Sequence, residues 1–387
     1  MDSSHKTTFV EDRLDSLEKS GLYRRLRTVV ANGPMANVDG KEVINLCSND
    51  YLGLSQNSQV IEKTITALNQ QVSQCASRLL GGNHPRIIEL ESLLAYHRRT
   101  ESALLYPTGY GANLGVLTAI ADKNSTIFSD ELNHASIVDA CRLSGATIVV
   151  FPHNDTNHLQ ELMQRGTGRK IVVTEGIFSM DGDMGKLAEI KSIADHHDAI
   201  TIIDDAHGDF IFGPNFSGMP AEMQVNFDIH VSSMSKALGC FGGYVATTLP
   251  IRELLINTSR QFIYTSALPS HLCSAAITAI PIAKSGYLQK RLQWNILYFS
   301  EAIKRLGFKI GNSISQIIPI IVGNEIQALE LSNKLLEEGV FAQAIRYPTV
   351  KKGHARLRIS LNATHSQKHL DCAVAAFEKV GKRTGVL

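Results

Sequence analysis

The sequence predicts an α/β fold with a mostly parallel sheet, because strand-like and helical segments alternate along the chain. Segments of helical periodicity cover residues 89–97, 159–164 and 187–196. Short apolar runs at residues 146–151, 170–174 and 199–203 are typical of buried strands. With 387 residues, of which 44% are apolar, the chain is long enough for a large core and a second, smaller domain.

Composition and charge argue against several classes of function. A formal net charge of +1, with 19% charged residues, disfavours a protein that binds nucleic acid electrostatically. The polar segment 1–21 lacks the apolar stretch of a signal peptide, and the apolar run 275–283 is too short to span a bilayer. Six cysteines are scattered without a C-x-x-C pair, which is typical of reduced thiols. We therefore expect a cytoplasmic protein with no membrane or nucleic-acid partner.

A candidate reactive amine lies in the segment DIHVSSMSKALGC at residues 228–240, where an apolar strand pattern leads directly to Lys236. A lysine that binds a carbonyl cofactor covalently must lie partly desolvated in a pocket. The small neighbours of Lys236, among them Ser233, Ser235 and Gly239, allow a flat cofactor to approach closely. The alternative is a surface lysine in a strand-to-helix loop.

Polar residues also follow the apolar run 199–203, where the sequence DDAHG begins at Asp204. Ligands of parallel α/β sheets bind beyond the carboxyl ends of the strands, so these side chains are candidates for a cleft. Because side chains alternate along a strand, only one of Asp204 and Asp205 should face that cleft, and we expect Asp205 to be structural. A metal site is disfavoured, since no second histidine stands near His207 at a ligand spacing. A carboxylate that pairs with the ring nitrogen of a cofactor fits better.

Eight short motifs in a fixed order extend these features over the whole chain. They are SNDYLGL (48–54), YPTGYGANLG (106–115), LNHASIVDA (132–140), VVTEGIFSMDGD (172–183), DDAHG (204–208), the lysine segment (228–240), IYTSALP (263–269) and ARLRISL (355–361). In these motifs the chain resembles the α-oxoamine synthase family of pyridoxal-phosphate enzymes. The resemblance implies the PLP-dependent transferase fold type I. Its parts would be an N-terminal arm (1–45), a large PLP-binding domain (46–285) and a smaller C-terminal α/β domain (286–387).

The resemblance also implies that the cofactor is pyridoxal 5'-phosphate (PLP), and it assigns residues to the cofactor ring. Lys236 would bind the cofactor covalently and transfer the Cα proton of the substrate, while Asp204 would pair with the ring nitrogen. His134 would stack on the ring. His207 and Ser179 would lie on the side of its phenolate oxygen.

The phosphate of the cofactor would contact residues from several motifs. The resemblance assigns to it Gly109 and Tyr110, at a helix start where backbone N–H groups favour an anion. From the residues alone, the alternative for this stretch is a structural turn. Ser233 would add a hydroxyl group. Thr265 and Ser266 would reach the phosphate from the partner subunit, so the resemblance implies a homodimer with shared active sites.

Residues from both ends of the chain would bind the substrates. Arg358 would hold the amino-acid carboxylate with its guanidinium fork, and Arg356, on the same strand face, is the second candidate. Asn49 would contact the same carboxylate or the aldimine. Arg24 and its neighbour Arg25 are candidate contacts for the acyl donor, and a solvated helix face is the alternative.

Softer features distinguish among family members. The runs FIYTSALP and VVTEGIFSMDGD and the threonine of YPTV resemble members that condense L-alanine with a pimeloyl thioester, either pimeloyl-CoA or a pimeloyl-carrier protein, in biotin biosynthesis. Tyr347 resembles members that join glycine to acetyl-CoA, which is the alternative. A fold type I aminotransferase is disfavoured by the NHASIVDA and YTSALP matches. A noncatalytic scaffold subunit is disfavoured because Lys236 is retained.

The chain departs from the family pattern at two places. Cys75 and Ala76 stand where small glycines are common. Asp209, Phe210 and Ile211 follow DDAHG, where a small residue and a glycine are usual. The second departure could alter access of the acyl chain.

Overall fold

The computed structural model describes residues 7–387, and its residue contacts divide the chain into two compact units. The large unit is Asn49–Leu292. The small unit comprises the described residues of Met1–Ser48 together with Gln293–Leu387. The boundaries between the two units therefore follow residues 48 and 292. The domain boundaries predicted above follow residues 45 and 285, and they stay predictions.

Helices and strands alternate through most of the described chain. The helices are α1 (Thr8–Lys19), α2 (Ser58–Leu68), α3 (Pro85–Arg98), α4 (Gly109–Ile120), α5 (Ala135–Ser144), α6 (Thr156–Arg165), α7 (Leu187–His196), α8 (Met219–Glu222), α9 (Leu249–Thr258), α10 (Arg260–Ile263), α11 (Ser270–Ala283), α12 (Tyr287–Leu306), α13 (Glu325–Glu337) and α14 (Gln367–Thr384). The strands are β1 (Val29–Asn32), β2 (Met35–Val38), β3 (Lys41–Asn45), β4 (Ser102–Tyr106), β5 (Ser125–Asp130), β6 (Thr147–Phe151), β7 (Arg169–Glu175), β8 (Ile200–Asp204), β9 (Ile229–Ser233), β10 (Gly243–Thr247), β11 (Ile317–Gly323), β12 (Val340–Phe341), β13 (Gln343–Ile345) and β14 (Ala355–Ser360).

The large unit contains a seven-stranded sheet in the order β4-β10-β9-β8-β7-β5-β6. Strands β9, β8, β7, β5 and β6 run parallel, and β10 is antiparallel to both of its neighbours. The predicted α/β class with a mostly parallel sheet is therefore confirmed. The predicted strands at 146–151, 170–174 and 199–203 correspond to β6, β7 and β8.

Both faces of this sheet are covered by apolar side chains of the helices. Ile127 and Ile171 pack on one face in a cluster with residues of α4 and α5. Their chain neighbours Phe128 and Val172 pack on the opposite face with residues of α6 and α7. Adjacent strand residues point to opposite faces, so a strand that is buried on both sides is a continuous apolar run rather than an alternating one.

The small unit contains two further sheets. One has the order β1-β2-β3-β12, in which β12 runs parallel to β3. The other has the order β11-β14-β13, with β14 antiparallel to both neighbours. Among residues 7–387, no helix combines the length and the apolar composition needed to cross a membrane.

Candidate active site

A cavity of about 200 Å³ lies in the large unit, where the carboxyl ends of β7, β8 and β9 meet the start of α4. Seven of the residues predicted for the site line it: Gly109, Tyr110, His134, Asp204, His207, Ser233 and Lys236. The other lining residues are Thr108, Asn113, Ser136, Glu175, Ala206 and Ser235. Parallel strands bring residues that are far apart in sequence to one edge of the sheet, which is why the motifs converge here.

The start of α4 forms one end of the cavity. Thr108 caps the helix, since its side-chain oxygen accepts a hydrogen bond from Gly111 N at 2.9 Å. Ser233 lies beside this turn, and its Oγ is 2.7 Å from that of Ser235. A Cβ atom on Gly243 would lie 2.4 Å from Gly109 N. Strand β10 can therefore lie this close to the start of α4 only because residue 243 is glycine. Backbone N–H groups and two hydroxyl groups therefore meet at one place, an arrangement suited to a phosphate.

Asp204 and Asp205 follow each other in the chain but face different surroundings. Asp204 Oδ2 accepts a hydrogen bond from Asn113 Nδ2 at 2.6 Å, and its Oδ1 accepts one from Ala206 N at 3.0 Å. Asp205 is fully buried, and its Oδ2 lies 2.9 Å from Arg98 Nη1. Asp204 thus lines the cavity while Asp205 is an internal ion-pair partner, as strand alternation predicts.

His134 lines the cavity and caps α5. Its Nδ1 accepts a hydrogen bond from Ser136 N at 3.2 Å and lies 2.8 Å from Ser136 Oγ. Burial lowers the pKa of His134; Asp204 opposes this shift and Lys236 adds to it, so the net direction is downward. The ring is therefore neutral at pH 7.

His207 is oriented by the N-terminal motif of the large unit. Its Nδ1 lies 2.7 Å from the hydroxyl oxygen of Tyr51, and that hydroxyl donates to Asn49 Oδ1 at 3.1 Å. The Tyr51 side chain is buried. The predicted substrate contact Asn49 is thus linked, through Tyr51, to a residue that lines the cavity.

Glu175 is a cavity residue that the sequence reasoning missed. It ends β7, is paired in register with Asp204 and is only 2% exposed. Burial raises the pKa of Glu175 well above its ordinary value and Asp204 adds to this, while His134 N, which donates to Oε1 at 2.5 Å, and Lys236 act in the opposite direction. The net direction is upward, which favours the protonated form of the carboxyl. The strand-end rule that singled out Asp204 applies equally to Glu175 and could have found it.

Asn113 and Ser136 were missed as well. Asn113 Nδ2 donates to Asp204 Oδ2 and also to Ser136 Oγ, the latter at 2.9 Å. Both side chains are 1% exposed. For Asn113 the available signal was a polar side chain on the otherwise largely apolar helix α4, because buried polar groups require partners. Ser136 lies on the mixed helix α5, whose sequence gives no such signal.

The remaining predicted cofactor residues lie outside the lining of this cavity. Ser179 lies in the turn that is closed by the bridge between Ile177 and Met184. Thr265 and Ser266 border a separate void of about 10 Å³. That these two residues reach the phosphate of a partner subunit stays a prediction.

The predicted substrate residues Arg24 and Arg358 belong to the small unit. Arg24 is exposed, and its neighbour Arg25 forms an exposed ion pair with Glu18 at 3.3 Å. Arg358 is partly buried on β14, and its Nη1 donates to Ser360 Oγ at 2.6 Å. Arg356 donates from Nε to the carbonyl oxygen of His354 at 3.1 Å.

The departure at Asp209 and Phe210 is explained by packing inside the large unit. Asp209 accepts hydrogen bonds from Ser232 Oγ at 2.7 Å and from the Tyr244 hydroxyl, and it lies 3.2 Å from Arg98 Nη2. Phe210 stacks on His97 with ring centroids 3.9 Å apart. Both residues are 2% exposed and neither lines the cavity, so their side chains pack inside the large unit; an effect of this loop on access of the acyl chain stays a prediction.

The residues of the cavity fit pyridoxal phosphate. Gly109, Tyr110 and Ser233 form an anion cradle, and Asp204 is a carboxylate suited to a protonated ring nitrogen. Lys236 supplies a primary amine, and His134 a flat ring, in the same cavity. The glycine at position 243 keeps the cradle open, since a Cβ there would collide with its backbone.

Comparisons with known proteins agree with a site for pyridoxal phosphate. The family model "Aminotransferase class I and II" matches residues 41–377. An 8-amino-7-oxononanoate synthase of Thermoanaerobacter pseudethanolicus is 42% identical, with both chains covered completely. One of Geobacter metallireducens is 41% identical over 98% of this chain and 99% of the relative.

Two solved structures have folds similar to that of this chain. A serine palmitoyltransferase from S. paucimobilis, solved with PLP bound, superposes with a TM-score of 0.93 at 29% identity and full coverage of both chains. An 8-amino-7-oxononanoate synthase from Francisella tularensis has a TM-score of 0.77 at 28% identity, covering 88% of this chain and 98% of the other.

Proposed function

Because this chain belongs to the aminotransferase class I and II family and, within it, to the α-oxoamine synthases, we propose that it makes 8-amino-7-oxononanoate for biotin synthesis. The reaction is the condensation of L-alanine with a pimeloyl thioester, which also yields carbon dioxide and the free thiol carrier. Full-length identity of about 40% to 8-amino-7-oxononanoate synthases carries the proposal. The convergence of Lys236, Asp204, His134 and His207 on one cavity supports it.

Residues of the cavity would hold the cofactor at three places. Gly109, Tyr110 and Ser233 would bind its phosphate, Asp204 its ring nitrogen, and Lys236 its carbonyl carbon. Bound pyridoxal phosphate supplies an electrophilic carbon for the amino group and a conjugated ring that delocalises negative charge at the substrate Cα. The carboxylate of Asp204 favours this delocalisation by stabilising a proton on the ring nitrogen.

One group of the chain, Lys236, moves protons in the cavity. The Lys236 amine accepts the Cα proton of L-alanine, and an ammonium at the same position can return a proton after loss of carbon dioxide. Burial and Asp204 raise the pKa of Glu175, which favours an uncharged carboxyl beside Asp204. Neutral His134 packs on the ring and adds no positive charge that would compete for the Asp204 carboxylate.

The proposal also assigns the residues that bind the substrates and the residues that join two subunits. Arg358 and Asn49 would bind the carboxylate of L-alanine, and Arg24 would contact the acyl donor. Thr265 and Ser266 would complete the phosphate site of the partner in a homodimer. The acyl donor is pimeloyl-CoA or a pimeloyl-carrier protein.

Turnover with defined substrate pairs tests the proposal. The purified protein, loaded with pyridoxal phosphate, is supplied with L-alanine and pimeloyl-CoA, and carbon dioxide and free thiol are measured. Parallel reactions contain glycine with acetyl-CoA, the alternative pair, and L-serine with palmitoyl-CoA, the pair suggested by the name of the structural neighbour. We expect turnover with L-alanine and pimeloyl-CoA; turnover with either other pair alone would replace the proposed substrates.

A lysine variant tests the catalytic assignment separately. After borohydride reduction, peptide mass analysis should find the cofactor attached to Lys236, and Lys236→Ala should lose both this attachment and turnover. Lys186→Ala, which changes a lysine outside the cavity, is the control. Attachment to another lysine would contradict the assignment even if the substrates were right.

A further inference from the structure

We propose that Asn113 and Ser136 form a hydrogen-bond relay that joins Asp204 to His134 and holds His134 as the neutral tautomer with its proton on Nε2. The relay runs from Asp204 Oδ2 to Asn113 Nδ2 (2.6 Å), on to Ser136 Oγ (2.9 Å), and from there to His134 Nδ1 (2.8 Å). Only the expected effect of the relay on binding of the cofactor rests on the proposed function. Asn113 and Ser136 are positioning residues here, because they act through Asp204 and His134.

The orientation of the Asn113 amide follows from its neighbours. A carboxylate oxygen accepts hydrogen bonds, so the amide NH₂ group rather than its oxygen belongs 2.6 Å from Asp204 Oδ2. The second hydrogen of the same NH₂ group points to Ser136 Oγ. Asn113 Oδ1 meets no protein donor in the described part of the chain, which is consistent with an amide oriented by its two donated bonds.

The tautomer of His134 follows from the start of α5. A backbone N–H can only donate, and Ser136 N points at His134 Nδ1 across 3.2 Å. Nδ1 therefore carries no proton. Ser136 Oγ already accepts a hydrogen bond from Asn113, so its own proton is available for the bond to His134 Nδ1. Asn113 thus donates to Ser136, and Ser136 donates to His134. Nε2–H remains as the ring's single N–H group.

Burial, rather than neighbouring charge, favours a neutral ring in this place. Burial lowers the pKa of His134 and Lys236 beyond β9 acts in the same direction, whereas Asp204 on β8 and Asp139 on α5 act against it. Glu175 on β7 accepts a hydrogen bond from the His134 backbone N–H, and burial raises its own pKa. Any polar contact that the His134 ring makes through nitrogen inside the cavity is thus one in which it donates.

The two members of the relay should differ in their effect on the cofactor. Asn113→Ala removes a bond to a charged group that itself faces the cofactor, so we expect affinity for pyridoxal phosphate to fall by about 10- to 100-fold. Ser136→Ala leaves the bond between Asn113 and Asp204 in place, so that affinity should change by less than about threefold. Its effect should instead appear at His134.

Nitrogen NMR of the full-length protein labelled with ¹⁵N-histidine tests the tautomer without relying on turnover. The His134 signals are identified by their loss in His134→Gln. We expect an unprotonated Nδ1 and a protonated Nε2 at pH 7 to pH 8. In Ser136→Ala the pKa of His134 should rise, since a donor to Nδ1 is lost, whereas Ser136→Thr, which keeps the hydroxyl, should restore the wild-type spectrum.

Ser144→Ala is the matched control, because it removes a hydroxyl from the other end of α5 that bonds to the Cys141 carbonyl. A wild-type His134 protonated on Nδ1 would overturn the relay, and in this measurement the only variant, His134→Gln, serves to assign the signals. The same spectrum separates the two proposals. The predicted tautomer in a protein that turns over neither L-alanine nor pimeloyl-CoA would leave the relay intact and remove the proposed function.

Discussion

The hydroxyl oxygen of Tyr51 lies 2.7 Å from Nδ1 of His207, and both side chains are buried. This bond ties the N-terminal motif of the large unit to a residue that lines the cavity. The tyrosine hydroxyl orients the imidazole by its contact with Nδ1, a role that neither motif reveals by itself.

Tyr51→Phe should lower both stability and activity. The variant removes one hydrogen bond from a buried imidazole, so the free energy of unfolding should fall by about 1–3 kcal/mol. Activity should fall, since the ring of His207 loses a fixed orientation and Asn49, the predicted substrate contact, loses the donor to its Oδ1. Urea unfolding and steady-state kinetics measure the two effects. Tyr96→Phe, at a tyrosine that is 79% exposed, is the control, and equal effects of both variants would contradict the argument.

The two carboxylates that share Arg98 should respond differently to substitution. Burial raises the pKa of Asp205 to about 7, although Arg98 opposes the shift. Burial acts on Asp209 in the same way, but Arg98 and His97 outweigh it and hold the pKa of Asp209 below its ordinary value. Asp209→Asn should therefore cost about 3–5 kcal/mol of stability by breaking a buried ion pair. Asp205→Asn should cost less than half of that at pH 7.

A pH series of urea unfolding checks the assignment of these two carboxylates. A carboxyl whose pKa is raised on folding contributes stability below its unfolded pKa, near 3.8, and loses that contribution as the pH rises through about 7. The wild-type protein should lose this contribution between pH 4 and pH 7, and Asp205→Asn should not. A wild-type profile that matches the Asp205→Asn profile would show that Asp205 is ionised throughout.

His153 should make the protein lose stability in alkaline solution. Its Nδ1 lies 2.9 Å from Asp130 and its Nε2 lies 2.7 Å from Asp183. Burial lowers the pKa of His153, but the bonds to the two aspartates outweigh burial and raise it to about 10. A group with a raised folded-state pKa contributes stability below its unfolded pKa, near 6.5, and loses it as the pH rises through about 10.

Unfolding in urea at pH 6.5 and pH 10 measures this loss. We expect about 2 kcal/mol, less than the full shift implies, because the site is partly open to solvent. His153→Asn should remove most of the difference between the two pH values, whereas His158→Asn, at an exposed histidine, should leave it unchanged. A loss that persists in His153→Asn would assign it to another group.

Gly243→Ala should weaken binding of pyridoxal phosphate more than tenfold. The added Cβ would lie 2.4 Å from Gly109 N and 2.5 Å from the Thr108 carbonyl carbon, and both atoms are backbone at the start of α4. The helix start must shift, so its N–H groups lose their alignment with the phosphate. Titration with the cofactor, followed by absorbance, gives the dissociation constant. Gly81→Ala, whose Cβ would approach no atom closer than 3.8 Å, should bind like the wild type.

Local patterns were sufficient for one half of the candidate site. Apolar runs predicted β6, β7 and β8, and polar residues at the end of β8 and shortly beyond β9 pointed to Asp204 and Lys236. The two-residue period of a strand also separated Asp204 from Asp205. These inferences need only neighbours in sequence, because strand direction and the edge of a parallel sheet follow from chain order.

The tertiary structure alone decided which groups meet. Asn113 bonds to Asp204 across 91 positions of sequence, and Tyr51 to His207 across 156. Such pairs depend on strand order and on the packing of helices against the sheet, so no local period encodes them. The sequence by itself therefore determined the fold class and the amine and carboxylate of the site. Only packing decided how Asn113, Tyr51 and Glu175 surround them, because hydrogen bonds between distant segments form after the sheet has brought those segments together.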